Sequence, residues 1–122
     1  MDEPTEARRL RIFVGESEKR GRVPLYEVIV EKARCRGLAG ATVTRGITGF
    51  GRSRRVHAAS ILRLSEGLPL VVEIVDEPER IEAFLPELQE IVSGEMVVLE
   101  KVQAIAYRRN RDRGSATKGS SG

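Results

Sequence analysis

The residues best suited to binding chemistry lie close together near the middle of the chain. Gly46, Gly49 and Gly51 have the spacing G-x-x-G-x-G, and Arg52 follows them directly. Glycine permits φ above 0 and lets backbone N–H groups approach a phosphate. Arginine offers a planar fork that fits phosphate or carboxylate. The spacing differs from the P-loop and from the Rossmann fingerprint, so as a bare pattern it indicates either hairpin geometry or an anion site.

Arginine dominates the basic residues, and it is clustered. Net charge is +6 over residues 1–57, −7 over 58–107 and +4 over 108–122. Each cluster alone fits a solvated surface as well as a ligand site. Because the middle of the chain is acidic and aromatics are only 4%, one small anionic site is favoured over a broad nucleic-acid surface. The two clusters are Arg45, Arg52, Arg54 and Arg55, and Arg108, Arg109, Arg111 and Arg113.

The inventory for catalysis or metal binding is small. The chain has one cysteine, Cys35, and one histidine, His57, which together make a poor zinc-binding set. No Ser/His/Asp or Cys/His arrangement is supported by spacing. We therefore expect a protein that is not an enzyme, holds no metal and requires no cofactor. His57 is more typical of a surface residue than of a ligand.

Length and composition indicate one small globular domain. The 122 residues are 40% hydrophobic and 32% charged, which is typical of a folded chain with a modest core. No apolar run approaches the roughly 20 residues needed to span a bilayer, and the acidic, polar N-terminus does not resemble a secretory signal. We expect a cytoplasmic protein without direct membrane insertion.

Hydrophobic periodicity predicts the elements that must position these residues. We expect a disordered segment at 1–7, a folded domain over 8–109 and a disordered basic and Gly/Ser tail over 110–122. Gly37 is a natural helix C-cap, and Pro86 predicts a kink or a break into two helices. Residues 58–64 fit either a short helix or the return arm of a hairpin. Predicted strands are Arg9–Gly15, Ala41–Ile47, Leu68–Val75 and Met96–Tyr107, the last with an irregularity; predicted helices are Pro24–Arg36 and a segment reaching Val92 that begins at an Asp76/Glu79 capping box.

The order of these elements is βαββαβ. This order predicts an α+β, ferredoxin-like fold, in which two helices cover one face of an antiparallel sheet. Phe13, Val71 and Val75 place apolar side chains on the other face. Monomers avoid large exposed apolar patches, so we expect oligomerisation to cover that face.

Several long motifs in this chain resemble the PII signal-transduction family. The resemblance is closer to a group of uncharacterised PII-like proteins that form a domain of unknown function, and it covers about residues 9–108. It implies a homotrimer that binds adenine nucleotides in clefts between subunits. It also implies an unknown target protein, such as a membrane transporter or an enzyme, that is contacted by the loop after the second strand. The motifs are Gly15-Glu16-Ser17, Pro24-Leu25-Tyr26-Glu27, Gly37 to Val43, Arg45-Gly46-Ile47, Gly49-Phe50-Gly51 and Ile61 to Ser65.

The resemblance also implies site residues. The segment Gly49-Phe50-Gly51-Arg52 corresponds to the loop base that approaches the nucleotide, and Arg108 corresponds to a phosphate ligand from the end of the core. Gly46 is a further ligand-binding candidate. Arg45 lies within a strand, so its head group is expected to pair with an acid or a ligand. Further candidates are Glu16 and Lys19 at the cleft, Arg54 and Arg55 as partner contacts, and His57.

The chain departs from the classical PII pattern in two places. Its loop is shorter, with no counterpart of the uridylylated tyrosine between His57 and Leu68. The turn that binds phosphate in the family, before the last strand, is reduced here to Ser93-Gly94-Glu95, which lacks a lysine and carries an acid. This difference favours AMP or ADP over ATP. A nucleic-acid-binding module that uses the arginine clusters is the alternative. A structural or metal-tolerance protein of similar trimeric fold is weakened by the shortage of Cys, His and Met ligands.

Overall fold

The element order agrees with the sequence prediction. The structure, a computed structural model, describes residues 2–50, 57–58 and 67–109. In that part no helix is long and apolar enough to cross a membrane. The four main strands are β1 (Thr5–Gly15), β4 (Thr42–Arg45), β7 (Pro69–Asp76) and β8 (Met96–Ala104); the helices are α1 (Leu25–Cys35) and α2 (Pro78–Ile91); and two short pairs are β2 (Lys19–Arg20) with β3 (Val23–Pro24) and β5 (Thr48–Gly49) with β6 (His57–Ala58).

The main sheet has the strand order β4-β7-β1-β8. Each neighbouring pair is antiparallel, and Ile12 of β1 lies opposite Val72 of β7 and Val97 of β8. Strand β4, which follows α1, forms one edge of this sheet, and β8, which follows α2, forms the other. This arrangement confirms the predicted ferredoxin-like fold.

One face of the sheet carries the core. Successive side chains on a strand point to opposite faces, so every second residue of β1 and β7 faces the two helices. Helix residues at helical spacing complete the layer, among them Ile29 of α1 and Phe84 of α2. The buried cluster comprises Leu10, Ile12, Val14, Leu25, Ile29, Ala33, Leu70, Val72, Ile74, Ile81, Phe84 and Leu88.

On the other face of the sheet, called the open face below, the described residues leave apolar side chains exposed. Phe13 is 40% exposed there, beside Met96, which is 66% exposed. Val71 and Val75 are half-buried on the same face. The predicted apolar character of this face is therefore present in the structure.

The N-terminal boundary was predicted too late. β1 begins at Thr5, four residues before Arg9, and Thr5 lies opposite Ala104, whose carbonyl accepts a hydrogen bond from its hydroxyl at 3.3 Å. Disorder over residues 1–7 is thus wrong for residues 5–7, because β8 extends far enough to pair with them. Residues 110–122 lie outside the described part.

Strand β8 is regular, contrary to the prediction. Its register with β1 runs without interruption from Met96 to Ala104, three residues short of the expected Tyr107. The apolar pattern changes parity because β8 places apolar residues on both faces. Leu99 lies opposite Leu10 of the core face, whereas Val102 lies opposite Ala7.

The end of α1 has the predicted glycine cap. Gly37 has φ +77°, its N–H donates to the Arg34 carbonyl, and the Leu38 N–H donates to the Ala33 carbonyl, both at 3.1 Å. This is the Schellman pattern, which glycine favours because it carries no Cβ. The helix begins at Leu25, one residue after the predicted Pro24.

Helix α2 differs from its prediction at both points of interest. The expected capping box is absent, since no side chain caps the first turn. Asp76 instead accepts hydrogen bonds from the N–H groups of Glu77 at 2.7 Å and Ala39 at 2.8 Å. Pro86 lies inside one continuous helix rather than at a break. Buried residues on both sides of it, Phe84 and Leu88, hold the two halves against the sheet.

Candidate functional site

Three segments meet at one corner of the sheet. The Gly46 N–H donates to the Pro69 carbonyl at 2.7 Å, and the Glu16 N–H donates to the Leu68 carbonyl at 2.8 Å. Arg45 is the last residue of β4 and lies opposite Leu70. The β4–β7 corner, defined here as Glu16, Arg45, Gly46, Leu68 and Pro69, therefore joins the loop after β1 to the end of β4 and the start of β7.

The glycines of the motif have a packing use within the chain. A Cβ on Gly46 would lie 3.0 Å from Cγ of Pro69, and one on Gly49 would lie 3.3 Å from the same atom. Strand β4 covers Thr42–Arg45, so the predicted strand Ala41–Ile47 was too long at both ends, and β5 begins beyond it at Thr48. Close approach of β7 thus explains two of the three glycines without a ligand.

Sequence reasoning missed Gly67. A Cβ there would lie 2.6 Å from Oγ and 2.8 Å from the backbone N of Ser17, so no side chain fits without movement of the loop after β1. The available signal was a glycine directly before a strand. The sequence does not show that Ser17 lies against it.

Arg45 pairs with an acid, as predicted. Its Nη2 donates to Oε2 of Glu16, and Oε1 of Glu16 accepts the Leu68 N–H at 3.3 Å. The Arg45 side chain remains 60% exposed, compared with 28% for Glu16. One carboxylate therefore bridges the end of β4 and the start of β7, and the guanidinium stays accessible to solvent.

The segment after the corner presents apolar side chains to solvent. Ile47 is 77% exposed and Phe50 is 58% exposed. The backbone of His57 lies opposite Gly49 in the β5–β6 pair, which supports a hairpin at the start of the predicted return arm. The predicted site residues Gly51, Arg52, Arg54 and Arg55 lie outside the described residues, as do residues 59–64 of that arm.

Two other predicted site residues, Lys19 and Arg108, belong to other elements. Lys19 is exposed in β2, opposite Pro24. Arg108 follows β8, whose end lies opposite Thr5, and its Nε is 3.4 Å from Oδ1 of Asp2. The 11 residues of β1 span about 30 Å. A single chain therefore does not bring Arg108 to Gly46.

In the turn before β8, a backbone N–H donates a hydrogen bond to a carboxylate of the same turn. The Ser93 N–H donates to Oε1 of Glu95 at 2.6 Å, and Gly94 has φ +91°. This turn lies at the same end of the sheet as the corner but at the opposite edge. The Ser93 N–H, a backbone donor of the turn that the family resemblance relates to phosphate binding, is thus already paired with the carboxylate of Glu95.

Charges also lie on the open face and along α1. Nε of Arg9 donates to Oε1 of Glu100 at 2.8 Å, and Nη1 lies 3.8 Å from Glu73. The hydrogen bond raises the pKa of Arg9 and lowers the pKa of Glu100. On α1, the hydrogen bond from Arg34 likewise lowers the pKa of Glu31. Within residues 2–50, 57–58 and 67–109, no group of three His, Cys, Asp or Glu side chains could hold a metal ion.

Solved structures share this fold. CPII from Thiomonas intermedia K12, solved with ADP and bicarbonate, aligns with a TM-score of 0.56 and 16% identity over 85% of this chain and 93% of that chain. A PII-like protein from Thermus thermophilus aligns with a TM-score of 0.62 and 21% identity over 95% and 98% of the two chains. The fold is that of the PII-like proteins.

Sequence relatives give the family. The model of DUF190, described as "Uncharacterized ACR", matches residues 7–104. A UPF0166 protein of Aquifex aeolicus (strain VF5) is 42% identical over 96 residues, which are 79% of this chain and 90% of the relative. A UPF0166 protein of Methanocaldococcus jannaschii is 35% identical over 94 residues, or 77% and 86%. The chain belongs to the DUF190 family, which confirms the predicted resemblance.

Proposed function

We propose that this chain is a cytoplasmic, non-enzymatic PII-like regulator. It binds a small anionic effector, an adenine nucleotide, in clefts between the subunits of a homotrimer. AMP or ADP is favoured over ATP, because Glu95 places a carboxylate at the turn before β8. The loop after β4 carries the signal to a partner protein, such as a membrane transporter or an enzyme.

The separation of the two basic sites carries the proposal. Arg45 lies beside the C-terminal end of β1, and Arg108 follows β8, which ends beside the N-terminal end of β1. A site that uses both arginines therefore needs a second copy of the chain. The open face of the sheet supplies a surface through which copies can associate, since Phe13 and Met96 are exposed there.

The ligand class is supported by the solved relatives. CPII structures contain ADP with bicarbonate, and ADP with AMP and bicarbonate. In this chain, both described arginines at the candidate sites are paired with acids, Arg45 with Glu16 and Arg108 with Asp2. Such paired arginines fit a small anion site better than a continuous nucleic-acid surface.

Isothermal titration with AMP, ADP, ATP and cyclic AMP tests the ligand. Arg108→Ala is expected to weaken AMP or ADP binding about tenfold, the range for a lost hydrogen bond to a charged group. Arg109→Ala, an exposed neighbouring arginine, is the matched control and is expected to change little. Absence of binding by every nucleotide would refute the proposal.

Mixing two defective variants tests whether the site lies between subunits. Arg52→Ala chains and Arg108→Ala chains are each expected to bind poorly. After co-refolding, about a quarter of the clefts of a random cyclic trimer combine an intact loop base with an intact Arg108. Recovery of nucleotide binding to that extent supports an inter-subunit site, and no recovery contradicts it. Light scattering on the wild type gives the oligomeric state.

A further inference from the structure

The carboxylate of Glu16 is paired with the guanidinium of Arg45, which is the group that an anionic effector would use. We propose that Glu16 is a resident competitor at Arg45, and that the anionic group of the effector displaces it from the guanidinium. Glu16 then sets the affinity of the β4–β7 corner for anions. This inference rests on the proposed function, because it concerns how the same effector is bound.

Glu16 is held in place by contacts that do not involve Arg45. Its N–H donates to the Leu68 carbonyl at 2.8 Å, and its Oε1 accepts the Leu68 N–H at 3.3 Å. Only Oε2 accepts from the guanidinium. The carboxylate therefore remains at the corner when Arg45 turns to another anion.

Arg45 is the component that can exchange partners. It ends β4, an edge strand of the main sheet, and its side chain is 60% exposed. A guanidinium has five N–H donors, and the pair with Glu16 is made through Nη2. The planar fork matches a phosphate or a carboxylate, which is the chemistry of a nucleotide phosphate.

The energetics of an exposed ion pair permit the exchange. Pairs between solvent-exposed side chains contribute little, so an anion with better geometry can replace Glu16 at the guanidinium. The fixed carboxylate also repels an incoming anion at close range. Neutralising Glu16 removes the competitor and this repulsion together, and it should strengthen anion binding.

Glu16→Gln provides the test. Glutamine keeps an oxygen that can accept the Leu68 N–H but removes the charge that pairs with Arg45. In isothermal titration with ADP and AMP, this variant is expected to bind about three- to tenfold more tightly than the wild type. Glu31→Gln is the matched control, because it removes the carboxylate of an exposed Glu–Arg pair on α1, and it is expected to bind as the wild type does.

A double-mutant cycle identifies the group through which Glu16 acts. Arg45→Gln is expected to weaken binding, and Glu16→Gln/Arg45→Gln should bind no more tightly than Arg45→Gln alone. If the gain from Glu16→Gln persists without Arg45, the effect is a general change of charge and the inference is wrong. Thermal melting establishes that each variant folds. If Glu16→Gln does not fold, Glu16→Asp replaces it: its shorter side chain no longer reaches Arg45, so it should still bind ADP more tightly than the wild type, but by a smaller factor because the charge remains; unchanged binding would contradict the inference.

The outcomes separate the inference from the proposed function. If the wild type binds ADP or AMP and Glu16→Gln binds equally or more weakly, Glu16 is only a structural brace; the inference fails and the proposed function stands. If neither the wild type nor any variant binds a nucleotide, both fail.

Discussion

The two faces of the main sheet are built from the same strands but have different neighbours. On the covered face, Ile12 and Val72 are fully buried beneath the helices. On the open face, one residue further along β1, Phe13 is 40% exposed, and the opposite Met96 is 66% exposed. The described residues complete the first face, whereas on the second they leave apolar side chains exposed, which is the kind of surface that association commonly covers.

The faces also differ in charge. Among the described residues, the buried core contains no charged or polar residue. The open face carries Arg9 with Glu100 and Glu73 between its apolar residues. An interface formed through this face would therefore depend on the register of ion pairs as well as on apolar area, because an unpaired charge buried at an interface is costly.

The largest expected difference between the faces comes from removing a phenyl ring. Phe84→Ala empties a fully buried position of the core, and it is expected to lower the free energy of unfolding by about 3–5 kcal/mol. Phe13→Ala removes the same group from the open face, and it should cost less than about 1 kcal/mol in dilute solution. Urea denaturation at two protein concentrations measures both; equal losses at high dilution would show that the two faces are energetically alike.

A charge placed on the open face is expected to act on association rather than on folding. Phe13→Glu should prevent oligomer formation while circular dichroism stays close to that of the wild type, because the position is exposed in the single chain. Val23→Glu is the matched control, since Val23 is 43% exposed and lies in β3, outside the main sheet. Light scattering distinguishes the two variants, and a Phe13→Glu oligomer of unchanged size would mean that copies associate elsewhere.

The smallest expected effect is on the way thermal stability falls at acid pH, through the Arg9–Glu100 pair of the open face. The hydrogen bond from Arg9 lowers the pKa of Glu100 below its ordinary value of 4.5. A lowered pKa in the folded state stabilises the fold above the ordinary value, and this contribution disappears as the pH falls through the folded value. The melting temperature of the wild type should therefore fall more steeply in acid than that of Glu100→Gln. Parallel melting curves from neutral to acid pH would contradict this.

Local sequence patterns predicted most of the fold. The alternation in β1 and β7 identified the buried face, and the hydrophobic periodicity identified both helices. The errors occurred where local preference met tertiary context. Pro86 is tolerated inside α2 because packing holds the helix on both sides of it, and Thr5 joins the sheet because β8 offers it a partner.

The candidate site was predicted less completely. The sequence identified Arg45 as a residue that would pair with an acid or a ligand, but 29 positions separate it from Glu16. Gly67 and Ser17 are likewise distant in the chain and close in space. Contacts of this kind depend on strand order and register, which no short window of sequence contains.

By itself, the sequence determined the element order, the face that is buried, the uneven charge and the family motifs, because periodicity and composition are local properties. Only the tertiary structure decided that Glu16 pairs with Arg45 and that Gly46 and Gly49 lie against Pro69. It also placed Arg108 at the opposite end of the sheet from the corner. Folding sets distances between residues that are remote in the chain, and those distances decide which charges can share one anion.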